Sequence, residues 1–215
     1  MKEIRFRDIG NCELKPMACY IKKFTPSFYM GMHNHSYFEM MYSAKGNFNV
    51  EIMRSAEPEK IETITVHQGE LIFLDAYLFH RLQIEEEEVV IYNVELIPQA
   101  DEKEEAFDIN TLFAVSYAAL IERTNLKKLA FSPDGYTVIP NLSKIDSSLR
   151  DLIYAMMNTN MHLEDVCILR AHILLLFMEI SKSLAAYEQY GEHYIKKIQL
   201  YIKHHLNQKI SLDDI

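Results

Sequence analysis

The apolar residues of this chain change their spacing once, near Leu96, and that switch constrains the fold more than any other feature. Before it, short runs rich in β-branched and aromatic residues alternate with turn residues: MACYIKKF, SFYMGMHNH, YFEMMYSA, NFNVEIMR, IETITVH, ELIFLDA, FHRLQIEE and VVIYNVELI. Such runs read as strands. With no helical pattern between them, they predict a small antiparallel sandwich or barrel rather than βαβ units. VVIYNVELI is apolar on both faces, so one face should line an interior and the other should pack on a second layer.

Beyond Leu96 the polar, Pro-containing stretch PQADEKEEAFDIN reads as a connector, and the apolar residues then fall at helical spacing. In Ser143–Thr159, Ile145, Leu149, Leu152, Ile153 and Met156 recur three and four apart and form one stripe. Ser143 followed by Asp146 resembles a capping box. The segment from His162 to about Gln189 is apolar nearly all round, as in a helix central to its domain or buried against a partner subunit. One further helix is expected over Leu112–Arg123, followed by irregular chain through SPDG.

The balance of charge narrows the functions available. With 22 Lys and Arg against 31 Asp and Glu, the formal charge of -9 argues against a nucleic-acid surface. The acidic runs Glu85–Glu88 and Asp101–Glu105 read as solvated turn and connector. No stretch of about 20 apolar residues spans a bilayer, and MKEIRFRDIG is too polar for a secretory signal. Cys12, Cys19 and Cys167 form an odd set without CxxC spacing, which suits a reducing compartment, so the cytoplasm is expected and no membrane partner.

The chemistry concentrates in HNHSYFEMMYSAKG. On a strand, His33, His35, Tyr37, Glu39 and Met41 share parity and would face the same side. A later segment brings Gly69 and, eleven residues on, His80. His-x-His-x3-Glu-x6-Gly followed by Gly-x10-His resembles the two motifs of the cupin superfamily. His33, His35, Glu39 and Gly46 match the first motif, and Gly69 and His80 match the second. The chain departs from the pattern where Asp75 and Tyr77 replace the usual Pro and Gly, and where Ile84 replaces a frequent Asn. The resemblance implies a β-barrel in which His33, His35, Glu39 and His80 bind a divalent ion, a donor set that suits Zn, Ni, Mn, Fe or Cu. The same groups could instead line a metal-free polar pocket, since enclosed ionisable groups need partners.

The last residues carry a second resemblance. Ile195, Ile198, Ile202 and Leu206 form a helical stripe, Asn207 and Gln208 break it, and Ser211 with Asp214 would cap a new helix. "YIKHHL", a break and "ISLDDI" resemble the opening of the DNA-binding domain of AraC/XylS-type regulators, and a chain stopping one turn into a capped helix reads as truncated. These resemblances imply an α+β chain: a cupin-type effector-binding barrel over 1–98, a helical linker and dimerisation segment over 99–190, and the start of a helix-turn-helix domain over 191–215. The implied function is the sensing and dimerisation region of an AraC-type transcriptional regulator, not an enzyme. It would hold a small polar metabolite, a sugar being one case, through His33, His35, Tyr37, Glu39 and His80. Homodimer contacts are expected at Ile145–Met157 and Cys167–Ile180, and DNA would be bound only through residues beyond this chain. MKEIRFRDIG could be an arm over the pocket or an edge strand. The alternative is a metal-dependent cupin enzyme, an isomerase or dioxygenase, using the same four ligands.

Overall fold

The computed structural model describes residues 6, 12–54, 57–100, 117, 119–130, 132–140, 142, 145–160 and 162–204, with backbone course alone at 12–13, 57–59, 99–100, 130 and 187–204. Among the described residues, nine strands form two antiparallel sheets. They are β1 (Cys12–Phe24), β2 (Phe28–Tyr29), β3 (Phe38–Lys45), β4 (Phe48–Arg54), β5 (Glu57–Val66), β6 (Leu71–Leu74), β7 (Phe79–Ile84), β8 (Val89–Ala100) and β9 (Tyr136–Ile139). One sheet has the order β1-β8-β3-β6-β9 and the other β2-β7-β4-β5. The helical elements are α1 (residues 119–123), α2 (Lys127–Ala130), α3 (Ile145–Asn158) and α4 (Leu163–His204).

Alternation along the strands builds two apolar layers. On β8, Val89 and Ile91 face the space between the sheets and pack with Phe24, Met41, Phe48, Val50, Ile52 and Leu82. Their neighbours Tyr92, Val94 and Leu96 face the other way, with Met40 and Phe38 of β3, onto Leu149, Leu152, Ile153 and Phe177 of the helices. The strand is therefore covered on both faces, which is why its sequence lacks a polar side. Each helix turns its apolar stripe inward: Ile145, Leu149, Leu152 and Ile153 of α3, and Leu169, Ile173, Leu176, Phe177 and Ile180 of α4, are buried. A Ser148 hydroxyl donating to Glu179 (2.6 Å) ties α3 to α4. Leu163, Ile168, Leu175 and Met178 of α4 are exposed.

Two expectations are revised, and two expected boundaries lie within continuous elements. The stretch through SPDG is not irregular throughout, since Lys127–Ala130 forms α2; beyond Gly135, at φ 76°, Tyr136–Ile139 forms β9 and pairs with β6, so the segment assigned to helices also completes the sheet. The 98/99 boundary falls inside β8, because Cys12–Leu14 pair with Pro98–Ala100. The 190/191 boundary falls inside α4, whose backbone is helical from Leu163 to His204. The run SFYMGMHNH yields only the two-residue β2 and an isolated bridge at His33. Of the expected helix over Leu112–Arg123, residues 117 and 119–123 are helical and the remainder lies outside the described residues. Ser143 and the 205–215 end, with Ser211 and Asp214, also lie outside them. From MKEIRFRDIG only Phe6 is described. It is buried edge-on to Phe38 (5.4 Å), Phe73 (4.8 Å) and Phe177 of α4 (5.6 Å), on the helix side of the sheet and away from the space between the sheets. No helix of the described residues is long and apolar enough to cross a membrane.

Candidate metal centre

One end of the space between the sheets is polar. His80 lies on β7, where the buried positions His80, Leu82 and Ile84 alternate with half-buried ones. His33 is locked opposite it by two backbone hydrogen bonds, His33 N–H to His80 O (3.0 Å) and His80 N–H to His33 O (2.9 Å). His35 follows in the loop before β3, its carbonyl accepting the Tyr77 N–H at 2.7 Å. Glu39 comes from β3 itself, on the inward face. One ring nitrogen from each of His33, His35 and His80 lies within 4.8 Å of the others. Glu39 Oε2 stands 2.9 Å from His80 Nε2 and 3.4 Å from His35 Nε2. Tyr37 joins as a flank rather than a donor, its ring stacked on His35 with centroids 5.1 Å apart.

Backbone carbonyls fix the tautomers. Nδ1 of His33 donates to Gly31 O (3.0 Å), that of His35 to Tyr37 O (3.2 Å) and that of His80 to Leu78 O (2.9 Å). A carbonyl only accepts, so the proton sits on each Nδ1 and Nε2 is left to meet a ligand. His35 Nε2, His80 Nε2 and Glu39 Oε2 are buried and close together without aligned hydrogen bonds among the described residues. Enclosed groups of this kind need a cation between them, a proton or a metal ion. Burial alone would raise the Glu39 carboxyl, but the adjacent His35 and His80 imidazoles outweigh it and hold the pKa at about 2. Burial opposes charge on His35, yet the neighbouring Glu39 carboxylate lifts its pKa above the ordinary 6.5.

The donor set fits a divalent transition metal. His33, His35, Glu39 and His80 would hold it, with Nδ1–H bonds to the backbone orienting the imidazoles as metal-binding histidines require. When bound, such an ion would polarise an oxygen of a small ligand.

The loop that carries His80 survives its departures from the cupin pattern. Tyr77 adopts φ 66°, the left-handed conformation the usual glycine would take, and its N–H holds the His35 carbonyl. Asp75 replaces proline rigidity with hydrogen bonds, its Oδ1 accepting from Ala76 N–H (2.9 Å) and Phe6 N–H (3.0 Å). Gly46 sits at φ 73°, where a Cβ would lie 2.9 Å from Glu88 O, so the glycine of the first motif is required by its turn.

The sequence analysis missed three residues. Glu95 of β8 pairs directly across from Glu39, Asn93 lies two positions away, and Tyr20 of β1 pairs with Asn93. Paired residues of antiparallel strands project on the same face, so all three enter the polar end. Burial, and then the Glu39 charge, raise the Glu95 pKa. Burial, then Glu39 and Glu95, push Tyr20 up to about 12. The signal lay in VVIYNVELI, where Asn93 and Glu95 share the parity of inward Val89 and Ile91.

No protein-family profile matches the chain. No curated protein matches it. Among solved structures it is similar to CENP-C of Drosophila melanogaster bound to CAL1 (21% identity over 35% of this chain and 58% of that one, TM-score 0.32). It is also similar to a predicted oxalate decarboxylase from Thermotoga maritima (18% identity, 39% and 68%, TM-score 0.33). A third is a cupin-2 domain protein from Shewanella frigidimarina (18% identity, 41% and 72%, TM-score 0.29). The chain thus spans little more than half of the first of these. The neighbours are cupin-domain proteins; overlaps this slight carry no argument about the site, whose reading rests on its geometry.

Proposed function

We propose that this chain binds a small polar metabolite at the polar end of its sandwich, on a divalent metal ion held by His33, His35, Glu39 and His80. The observation that carries this reading is the set of three Nδ1–H bonds to backbone carbonyls, which leaves three Nε2 atoms free beside one buried carboxylate. Ordinary core histidines would spend both nitrogens on protein partners.

The pocket's use, in this proposal, is sensing: the chain is the effector-binding and dimerisation region of an AraC-type regulator, and DNA is met by residues beyond it. What supports this is the placement of the site. Glu39 and Glu95 lie on strands whose opposite faces, through Met40, Val94 and Leu96, belong to one apolar cluster with α3 and α4. A ligand that favours one packing of sheet on helices over another would shift their balance, and one with equal affinity for both would not. The exposed stripe of α4, with Ile168 and Leu175, is the surface the proposal assigns to the second subunit. The enzyme reading is favoured by one feature, the second carboxylate Glu95 beside the donor group.

Zinc titrated into chelator-treated protein should raise the thermal midpoint at one equivalent, by the linkage between binding and stability. His35→Ala and Glu39→Ala should abolish the shift, while His67→Ala, at an exposed turn, should keep it. An equal shift in all variants would misplace the site. Turnover of a candidate substrate by the metal-loaded protein would replace the sensor reading with the enzyme.

A further inference from the structure

Beside the donor group lies a patch that the metal reading leaves unused. Asn93 is buried to 1% exposure in the polar end, and its Nδ2 donates to Glu95 Oε1 at 3.3 Å. Its Oδ1 is buried with no hydrogen-bond partner among the described residues. A buried acceptor of this kind is costly to leave unpaired unless a ligand or water satisfies it. Glu95 is half-buried, and among the described residues it has this amide as a partner and forms no ion pair. Tyr20, across the β1–β8 ladder from Asn93, closes the patch from the edge strand. Glu39 cannot relieve Glu95, because it carries the same charge and its own partners are His35 and His80. Among the described residues the patch therefore offers an amide oxygen without a hydrogen-bond partner and a carboxylate without an ion pair, next to a donor group that would hold the other end of a ligand.

We infer that Glu95, Asn93 and Tyr20 form a recognition subsite for a protonated amine on the small molecule bound at the His33–His35–Glu39–His80 centre. The inference deepens the proposed function and rests on its placement of the pocket. An ammonium group brings three donors and one positive charge. Asn93 Oδ1 and the Glu95 carboxylate take the donors, and the charge meets the carboxylate in a partly dry setting where such hydrogen bonds are strongest. A hydroxyl of the same size would satisfy the amide oxygen but leave the Glu95 charge unmatched. The preferred ligand class is thus an amine or amino alcohol rather than a plain polyol.

The test compares ethanolamine with ethylene glycol, which match in size and differ in charge, by titration into chelator-treated protein followed through amide chemical shifts. Ethanolamine should bind at least about tenfold more tightly, and Glu95→Gln should bring the two to parity, as expected for a charge-assisted contact. Tyr20→Phe, a milder change on the edge strand, should weaken ethanolamine a few-fold and serves if Glu95→Gln does not fold. Equal binding of both probes by the wild type would overturn the inference, and so would a preference that survives Glu95→Gln or, where only Tyr20→Phe folds, is untouched by it. Zinc binding measured on the same variants separates the two readings. Equal binding of the two probes by a wild type that still takes up zinc at one equivalent strikes the subsite alone, and failure of zinc to bind the wild type strikes the metal centre alone.

Discussion

The two ends of the space between the sheets are built from the same strands and behave as opposites. At one end Phe24, Phe48, Val50, Leu82, Ile84 and Val89 fill the space as one apolar cluster. At the other, reached by moving along the same strands, the inward positions are His80 on β7, Glu39 on β3, and Asn93 and Glu95 on β8. The apolar end gains from burial itself, roughly 25 cal/mol for each Å² removed from water. The polar end loses by burial unless each group finds a partner. Stability should therefore be concentrated at one end and binding at the other.

Substitutions can break this division, and the largest effect belongs to the apolar end. Phe48→Ala should cost about 3–5 kcal/mol of unfolding free energy, read by urea denaturation, while zinc still binds at one equivalent. A matching loss of zinc affinity would mean the two ends are not separable. His80→Ala should do the reverse in kind, weakening zinc by roughly a hundredfold or more in calorimetry as a ligand is removed. Gly46→Ala, at φ 73° with a Cβ only 2.9 Å from Glu88 O, should cost roughly 1–3 kcal/mol and leave binding unchanged, since the strain lies in the β3–β4 turn. Asp75→Ala should cost about 1–2 kcal/mol by releasing the Phe6 and Ala76 N–H groups. It should also loosen His80, seen as a modest fall in zinc affinity.

Acidity sharpens the same contrast. Glu39 is held at about 2, below its ordinary 4.5, so its contribution to stability is present above pH 4.5 and is lost as pH falls toward 2. His35 is raised above 6.5, so its contribution is present below pH 6.5 and is lost as pH rises through the shifted value. The metal-free protein should then have its polar end most stable between pH 4.5 and 6.5. Metal binding requires His35 to give up a proton, so zinc affinity should climb as pH rises past 6.5, by up to about tenfold per unit for one proton. Calorimetry across that range measures it, and His35→Ala should flatten the slope.

Much of this was legible before any coordinates. The strand runs before Leu96 and the helical stripe of Ile145, Leu149, Leu152 and Ile153 follow from spacing, and the meeting of His33, His35 and Glu39 with His80 is what the resemblance to the two cupin motifs implies. What escaped depended on pairings between distant residues. Tyr136–Ile139 is a strand because β6 offers it an edge, and nothing within four residues announces that. Glu95 is a site residue because the β3–β8 register sets it against Glu39; its own run shows only that it shares the parity of Val89 and Ile91, not which residue it meets. The parity argument for His33 and His35 reached the right place by a wrong route. These residues lie outside the regular strands and are held by the bridge to His80 and the Tyr77 N–H. Tyr77 likewise replaces a glycine without loss of the turn, because it takes up the left-handed conformation itself.

The central claim is that three imidazoles and one carboxylate inside the sandwich form a single metal-binding centre, and cobalt(II) tests it most directly. Titrated into chelator-treated protein, cobalt should give a visible d–d absorption band that saturates at one equivalent and disappears in both His80→Ala and Glu39→Ala. A band that never saturates, or one that is unchanged in those variants, would contradict the account.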